Sequence, residues 1–505
     1  MHQIELFEEK ENYITKATDD EIEVKQFSHN EFCDQAERLK LEKKYIGIVD
    51  ETDIFNRKLV SYQANKNQSI HQWIKYREGF SSELVQTLIE EFNLQSGDTL
   101  LEPFLGSGTT SLTAKMLGIN CVGMDILPHA HLSFEAKNNI FDYDINELQS
   151  IYNTLFELTP DTENVEPFPH IAITDTAFSE QTEKELMFYT KWIETAEISQ
   201  ESKTLLKLIL TSILEEISYT RKDGQYLKWD SRAEKIIKNN EKRISQGKEP
   251  VKGLNKGDLP TVKESMLNGF LVILNDIRDI QENPPKIESE QRLIKDSVLK
   301  ALPTLKTNGF NGVITSPPYC NRYDYTRTYA LELAYLSIGE KGIKALRQDQ
   351  LSCTVENKSK VEQLKEYYSS LGLEARFNQI EKIINENKVL KEIIDALKKR
   401  NEVGEINNKG VLRMVEGYFT ELTFTYFEIF RTCKSGSKVA FVNDNVRYAG
   451  EVIPVDFLST YIAEQIGFKP IKIYTLKQKK GNSSQQMKKY GRVPLRKSIT
   501  IWEKP

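Results

Sequence analysis

The most specific chemistry in the chain is carried by four consecutive residues, Ser316, Pro317, Pro318 and Tyr319. They close a short apolar run, Gly312-Val313-Ile314-Thr315, which reads as a buried strand. The carboxyl end of such a strand is where open α/β sheets bind their ligands. The Ser316 hydroxyl and the Pro317 carbonyl are two acceptors held close together. They suit a nitrogen that carries two hydrogens, such as an amine conjugated to a ring. That nitrogen is a poor nucleophile because its lone pair is delocalised. Accepting both hydrogens favours a pyramidal nitrogen with an available lone pair. Pro317 and Pro318 fix φ and stiffen the turn. Tyr319 offers a face for stacking on a flat base, which must leave a duplex to be reached. A proline turn that only closes a strand is the competing reading, and a second motif upstream argues against it.

That motif is Glu102-x-Phe104-x-Gly106-x-Gly108, set between a predicted strand and a predicted helix. Its glycines permit a sharp turn and close backbone approach to a ligand. The following helix start offers unpaired N–H groups to an anion. In S-adenosylmethionine that anion is the methionine carboxylate. Asp125 ends the next strand about 20 residues on, the spacing at which an acid holds ribose hydroxyls. A dinucleotide-binding loop shares this spacing, but Ser111 stands where its third glycine would be. No Lys-Ser/Thr follows Gly108, which disfavours a P-loop.

The elements that must position these residues form an interrupted α/β pattern. Ser82 to Phe92 reads as a helix with Leu84, Val85, Leu88, Ile89 and Phe92 on one stripe. Strands are expected at 98–104, 120–125, 293–296, 312–315 and 437–442. Ile471 to Leu476 and Ser498 to Trp502 are expected to pair as antiparallel strands around a basic loop. Between 130 and 285 the pattern is mainly helical, with a turn at Arg221 to Tyr226. A second helical stretch over 355–400 carries Ile380, Ile383, Ile384, Leu390, Ile393 and Leu397 and reads as a packed lid. Val411 to Thr432 reads as a helix whose aromatic residues belong to the core. The expected division is an N-terminal extension over 1–70, a catalytic domain over 71–129 and 287–505, a helical insertion over 130–286 and a sub-insertion over 340–405.

Composition narrows the function classes. Hydrophobic residues make up 39% and charged residues 28% of 505, enough for a substantial core. No apolar run is long enough for a membrane span, and Met1-His2-Gln3-Ile4-Glu5 does not start a signal peptide. A cytoplasmic protein is expected. The five cysteines never form CxxC, and His129 and His131 lack ligand partners in sequence, so neither a disulfide framework nor a metal site is expected. None of the cysteines follows a proline, which argues against covalent attack on a base carbon. The net charge of −6 leaves any nucleic-acid contact to a local basic face. One such face follows Ile471. Within it Lys479, Lys480, Asn482, Ser483, Gln485 and Gln486 combine cations for phosphates with amides for base edges.

With both motifs in view, the chain resembles the amino-methylating DNA methyltransferases of bacterial restriction-modification and defence systems. Glu102 to Thr110 is similar to their first motif, with Glu102 where Asp is usual, and Ser316 to Tyr319 is similar to their fourth. The resemblance implies an α/β, Rossmann-like S-adenosylmethionine-dependent methyltransferase fold with large helical insertions. It implies cofactor contacts from Phe80, Ser81, Glu102, Pro103, Phe104, Gly106, Gly108, Thr109, Thr110, Asp125 and Asp296. Of these, Phe80 and Ser81 lie in the segment that closes over the methionine moiety, and Asp296 sits where the family contacts adenine. Ser at the head of the tetrapeptide implies cytosine N4 over adenine N6. The implied partners are double-stranded DNA and a cognate restriction endonuclease or defence-complex subunit. An RNA or protein-glutamine amino-methyltransferase, and a silent nucleic-acid-binding subunit, stay open as alternatives.

Overall fold

The computed structural model describes residues 26–224, 226–476, 487–491 and 493–505. Its frame is an eight-stranded sheet made of β1 (Val49–Thr52), β2 (Thr99–Glu102), β3 (Asn120–Met124), β4 (Gln291–Ile294), β5 (Phe310–Thr315), β6 (Cys433–Asp444), β7 (Lys469–Leu476) and β8 (Lys497–Glu503). The strand order is β1-β7-β8-β6-β5-β2-β3-β4. All neighbours pair in parallel except β8, which runs antiparallel to both β7 and β6. This is the Rossmann-like methyltransferase architecture that the motifs require.

The central strands β2, β5 and β6 carry apolar runs, Leu100-Leu101, Val313-Ile314 and Val439 to Val442, because both faces are covered there. Leu100, Ile314 and Ala440 point to one face, where Leu84, Val85 and Leu88 of helix Ser82–Glu91 pack. Their neighbours Leu101, Val313 and Val439 point to the other, against Phe419, Leu422 and Phe424 of helix Gly410–Thr432. The aromatic residues of that helix are therefore core, as the sequence suggested. The 355–400 stretch becomes helices Val361–Ser370, Glu374–Glu386 and Lys388–Glu402, with Ile380, Leu390, Ile393 and Leu397 buried against the same core. Ile383 and Ile384 are only half-buried.

Between β3 and β4 lies a helical block whose core takes in Trp73, Leu112 and Leu331 from outside it but is drawn mainly from helices Ile145–Glu157, Glu180–Thr195, Gln200–Ile217 and Val262–Glu282. Each begins with a side chain that accepts from the first turn: Asp144, Ser179, Ser199 and Thr261. Asp276 fastens the block to the 70–73 segment by accepting from Trp73 Nε1 at 2.8 Å and from the Ile70 amide at 2.9 Å. The sequence read Arg221 to Tyr226 as a turn. It is the tip of a β-hairpin, Thr220–Asp223 with Tyr226–Trp229. Each arm has only four residues, too few for alternation to stand out.

No regular element was expected before residue 70, yet helix Ala36–Tyr45 and strand β1 form there. The helix has a weak amphipathic pattern because it is held largely by charge. Arg38 is fully buried, with Nε 2.8 Å from Glu392 and Nη1 3.1 Å from Glu451. No helix of the described residues is long and apolar enough to cross a membrane.

Candidate active site

The sheet's parallel strands deliver their carboxyl ends to one edge, and strand order reverses between β2 and β5. A crevice opens at such a switch point. Here it is lined by Tyr76, Glu78, Phe80, Pro103, Phe104, Gly106, Thr109, Thr110, Asp125, Asp296, Ser316 and Pro318, among others. The space enclosed is about 770 Å³, including its open mouth. The glycine loop and the proline tetrapeptide, far apart in the chain, thus share one cavity.

The loop is fastened on every side. The Leu105 amide donates to the Met124 carbonyl at 2.8 Å, and the Gly106 amide to Asp125 Oδ2 at 2.9 Å. Gly106 has φ +55, and a Cβ there would lie 3.0 Å from Cε1 of Tyr76. Only glycine meets both conditions without strain. Gly108, at φ +82, starts helix Thr109–Met116. From behind, Ser133 Oγ and Lys137 Nζ both donate to the Ser107 carbonyl, at 3.0 and 2.9 Å. Burial holds the Lys137 ammonium down to about 7.

Glu102 lies beneath the loop. It accepts from Thr110 Oγ1 at 2.7 Å, from the Phe104 amide at 3.1 Å and from Thr315 Oγ1. Burial pushes its carboxyl up to about 8, against the pull of those donors. Asp125 also accepts from the Leu127 amide at 2.8 Å. Burial raises its carboxyl as well, and the Leu127 and Gly106 amides hold it down. Its lone pairs toward the cavity can accept ribose hydroxyls.

Ser316 Oγ is within 3.2 Å of both the Val442 carbonyl and the Tyr319 hydroxyl. A hydroxyl that donates to Val442 keeps its oxygen lone pairs for an incoming amine. Tyr319 is half-buried, with Lys497 Nζ 5.3 Å from its ring centroid. Lys497 lies opposite Asp444 in the β8–β6 register and pairs with it at 3.6 Å.

Of the residues singled out in the sequence, ten line the cavity: Phe80, Pro103, Phe104, Gly106, Thr109, Thr110, Asp125, Asp296, Ser316 and Pro318. Others stand behind it. Ser81 caps helix Ser82–Glu91 by accepting from the Leu84 amide at 3.1 Å. Glu102, Gly108 and Pro317 support the loops, and Tyr319 flanks Ser316. Lys479, Lys480, Asn482, Ser483, Gln485 and Gln486 lie outside the described residues. The described strand ends on either side of them, Leu476 and Lys497, are both at the ligand edge.

Sequence reasoning missed Glu78, whose carboxylate accepts from the hydroxyls of Tyr323 and Tyr329. It also missed Asp349 and Leu351, which line the far wall. Glu78 lies in the same segment as Phe80 and Ser81, but nothing local marks its side chain as facing two tyrosines, and no motif marks Asp349 and Leu351, which the fold brings in from helix Glu340–Asp349 and the residues after it. Tyr76 stacks on Tyr329 at 5.2 Å, and Tyr329 on His129 at 4.3 Å. This aromatic wall joins three distant segments. Among the described residues no group of His, Cys, Asp or Glu could hold a metal ion.

Likeness to known proteins agrees with this geometry. A family profile described as DNA methylase, of the N6/N4 type, matches residues 3–136. The chain is 67% identical over 486 residues to the type II methyltransferase M.BsoBI of Geobacillus stearothermophilus, covering 96% of this chain and 95% of that one. It is 40% identical over 456 residues, 89% of each chain, to the type II methyltransferase M.AvaI of Nostoc sp.. M.MjaII of Methanocaldococcus jannaschii, also a type II methyltransferase, matches 43% of the chain at 27% identity. Type II methyltransferases of this family use S-adenosylmethionine, and the glycine cradle beside Tyr76 with the Asp125 carboxylate at its edge fits that cofactor. Fold, cleft and relatives together place the chain in the type II DNA methyltransferases of the N6/N4 amino-methylating family.

Proposed function

We propose that the enzyme methylates the exocyclic N4 amine of cytosine in a base extruded from duplex DNA. The observation that carries this reading is Ser316. It heads the tetrapeptide at the carboxyl end of β5 and lines the cofactor cleft.

When bound, S-adenosylmethionine supplies an electrophilic methyl group. Gly106, Thr109 and Thr110 would hold its methionine end at the helix start. Asp125 would hold its ribose, and Asp296 its adenine. Phe80 and Tyr76 cover the cleft and exclude water. Ser316 Oγ and the Pro317 carbonyl accept the two amine hydrogens, so the lone pair turns from the ring. As the nitrogen bonds to the methyl carbon, that carbon's bond to the sulfonium sulfur would break to leave a neutral thioether, and the nitrogen would release one proton through Ser316 Oγ to solvent. Tyr319 stacks on the base and keeps it out of the duplex.

The assignment extends to the rest of the chain. Residues 71–129 and 287–505 form the catalytic domain, and 130–286 serve target recognition. Lys479, Lys480, Asn482, Ser483, Gln485 and Gln486 contact DNA in this reading. A cognate restriction endonuclease in the same cytoplasm is the partner this reading implies.

Sequencing of DNA modifications in cells that express the protein tests it. N4-methylcytosine at one recurring sequence is the expected result. N6-methyladenine there would overturn the choice of base, and unmodified DNA with methylated RNA would overturn the choice of substrate.

A further inference from the structure

One hairpin projects from the helical block beside the cleft. Its strands, Thr220–Asp223 and Tyr226–Trp229, have one buried and one exposed face. On the buried face Lys222 stands opposite Leu227. Lys222 Nζ pairs with Glu332 and lies 4.3 Å from the ring centroid of Tyr329. Arg77 donates to the Lys222 carbonyl and pairs with Glu215 at 2.7 Å. Tyr329 in turn donates to Glu78, which lines the cleft. The hairpin is therefore braced to the wall of the site.

Its outer face is unusual. Arg221 stands directly opposite Lys228, and both are exposed. Like charges so placed cost a sheet stability. Tyr226, next to them, is 60% exposed. Nothing on the hairpin needs this arrangement for folding, because its inner face supplies the packing. The stretch that follows continues the charge. Residues 221–256 hold eleven Lys and Arg against five Asp and Glu, in a chain whose net charge is −6. Helix Glu234–Ser245 within it has no buried residue. Lys235 on this helix covers Trp229 with Nζ 3.0 Å from the ring centroid and so holds the helix against the hairpin.

We infer that the outer face of this hairpin, through Arg221, Lys228 and Tyr226, grips the DNA backbone next to the extruded base. The inference rests on duplex DNA being the substrate and adds the surface that holds it. Two cations opposite each other are repulsive alone and favourable against paired phosphates. The exposed ion pair of Lys228 with Asp223 opens at little cost to meet one. The Tyr226 ring, left in water by the fold, gains by stacking on a base or lying along a sugar.

The test uses the full-length Arg221→Ala/Lys228→Ala variant. Methyl transfer to unmethylated phage DNA is measured over a DNA concentration series. Anisotropy of a short labelled duplex is measured over a salt series. We expect the apparent KM for DNA to rise roughly tenfold or more, with transfer recovering as DNA is raised. The slope of log affinity against log salt should fall by about two, one for each phosphate that no longer meets a cation. S-adenosylmethionine affinity, which reports the folded cleft, should equal that of the unaltered enzyme. An unchanged KM with an unchanged salt slope overturns the inference. If the unaltered enzyme transfers no methyl to DNA, the proposed function fails, and the anisotropy alone decides the hairpin: weaker binding supports it and equal binding overturns it.

Discussion

Thr315 Oγ1 donates to the carboxylate of Glu102 across the β5–β2 boundary, one residue before the tetrapeptide begins. The same carboxylate holds Thr110 at the start of the cofactor helix. One buried acid thus ties the glycine loop to the strand end that carries the proline tetrapeptide.

That acid should leave a mark on stability. Its folded carboxyl sits at about 8, against 4.5 for an ordinary glutamate, because it is buried. Between those values the folded state keeps a proton that the unfolded chain releases, so stability falls as pH rises through the window. Glu102→Gln keeps the shape and removes the titration. Its melting temperature relative to the unaltered enzyme should climb from pH 5 to pH 8, reflecting about 1.4 kcal/mol per pKa unit at most. A difference that stays constant with pH would show that Glu102 does not titrate there.

Ser316→Ala removes one of the two acceptors for the amine. We expect kcat to fall by roughly 10²-fold or more, as for loss of one aimed hydrogen-bonding group in a transition state. Affinity for S-adenosylmethionine should stay within about threefold, because the cofactor loop is untouched. Stopped turnover with calorimetric titration of the cofactor separates the two. Tyr319→Ala should behave in the same direction.

Gly106→Val acts on the other half of the cleft. It forces a β-branched residue to φ +55 and drives its Cβ against Tyr76. Cofactor binding should weaken by roughly 100-fold or more, equal to about 2.7 kcal/mol. Isothermal titration of the cofactor reads this directly, and a circular dichroism melt checks that the fold survives.

Arg38 bears on stability away from the chemistry. It is fully buried between Glu392 and Glu451, and Glu451 also receives Arg400 Nη2 at 2.8 Å. Arg38→Ala strands buried carboxylates and should cost about 3–5 kcal/mol in denaturant unfolding. Adding Glu451→Gln should cost less than the sum of the two single changes, since both touch one network.

The parts legible in sequence were those in which local pattern and chemistry coincide. The apolar run ending in Ser316 is a strand because parallel strands are buried on both faces, and Gly106 and Gly108 sit where φ must be positive. The helix at Ser82 showed its stripe in sequence, while the cap that Ser81 supplies emerged only in the structure. Strand β1 was hidden because it is short, polar and at the sheet edge, where pairing with β7 does what burial does elsewhere. Glu78 and Asp349 were hidden because their place in the cleft is set by tertiary packing. The hairpin's cations were visible, but their opposition across two strands exists only once the register is known.

Strands β3 and β4 are hydrogen-bonded neighbours, and everything from 125 to 290 is the connection between them. Because the two strands are parallel, this connection leaves at the carboxyl edge of the sheet and returns at the opposite edge, while the β5-β2-β3-β4 ladder pairs backbone to backbone whatever lies along it. Braces cross the boundary at several places, among them Lys137 to Ser107, Asp276 to Trp73, Arg77 to Glu215 and Lys222 to Glu332. Because the apolar core of the block also takes in Trp73, Leu112 and Leu331, any sequence that refills the connection must keep this seam as well as the braces for the cleft to stay in line.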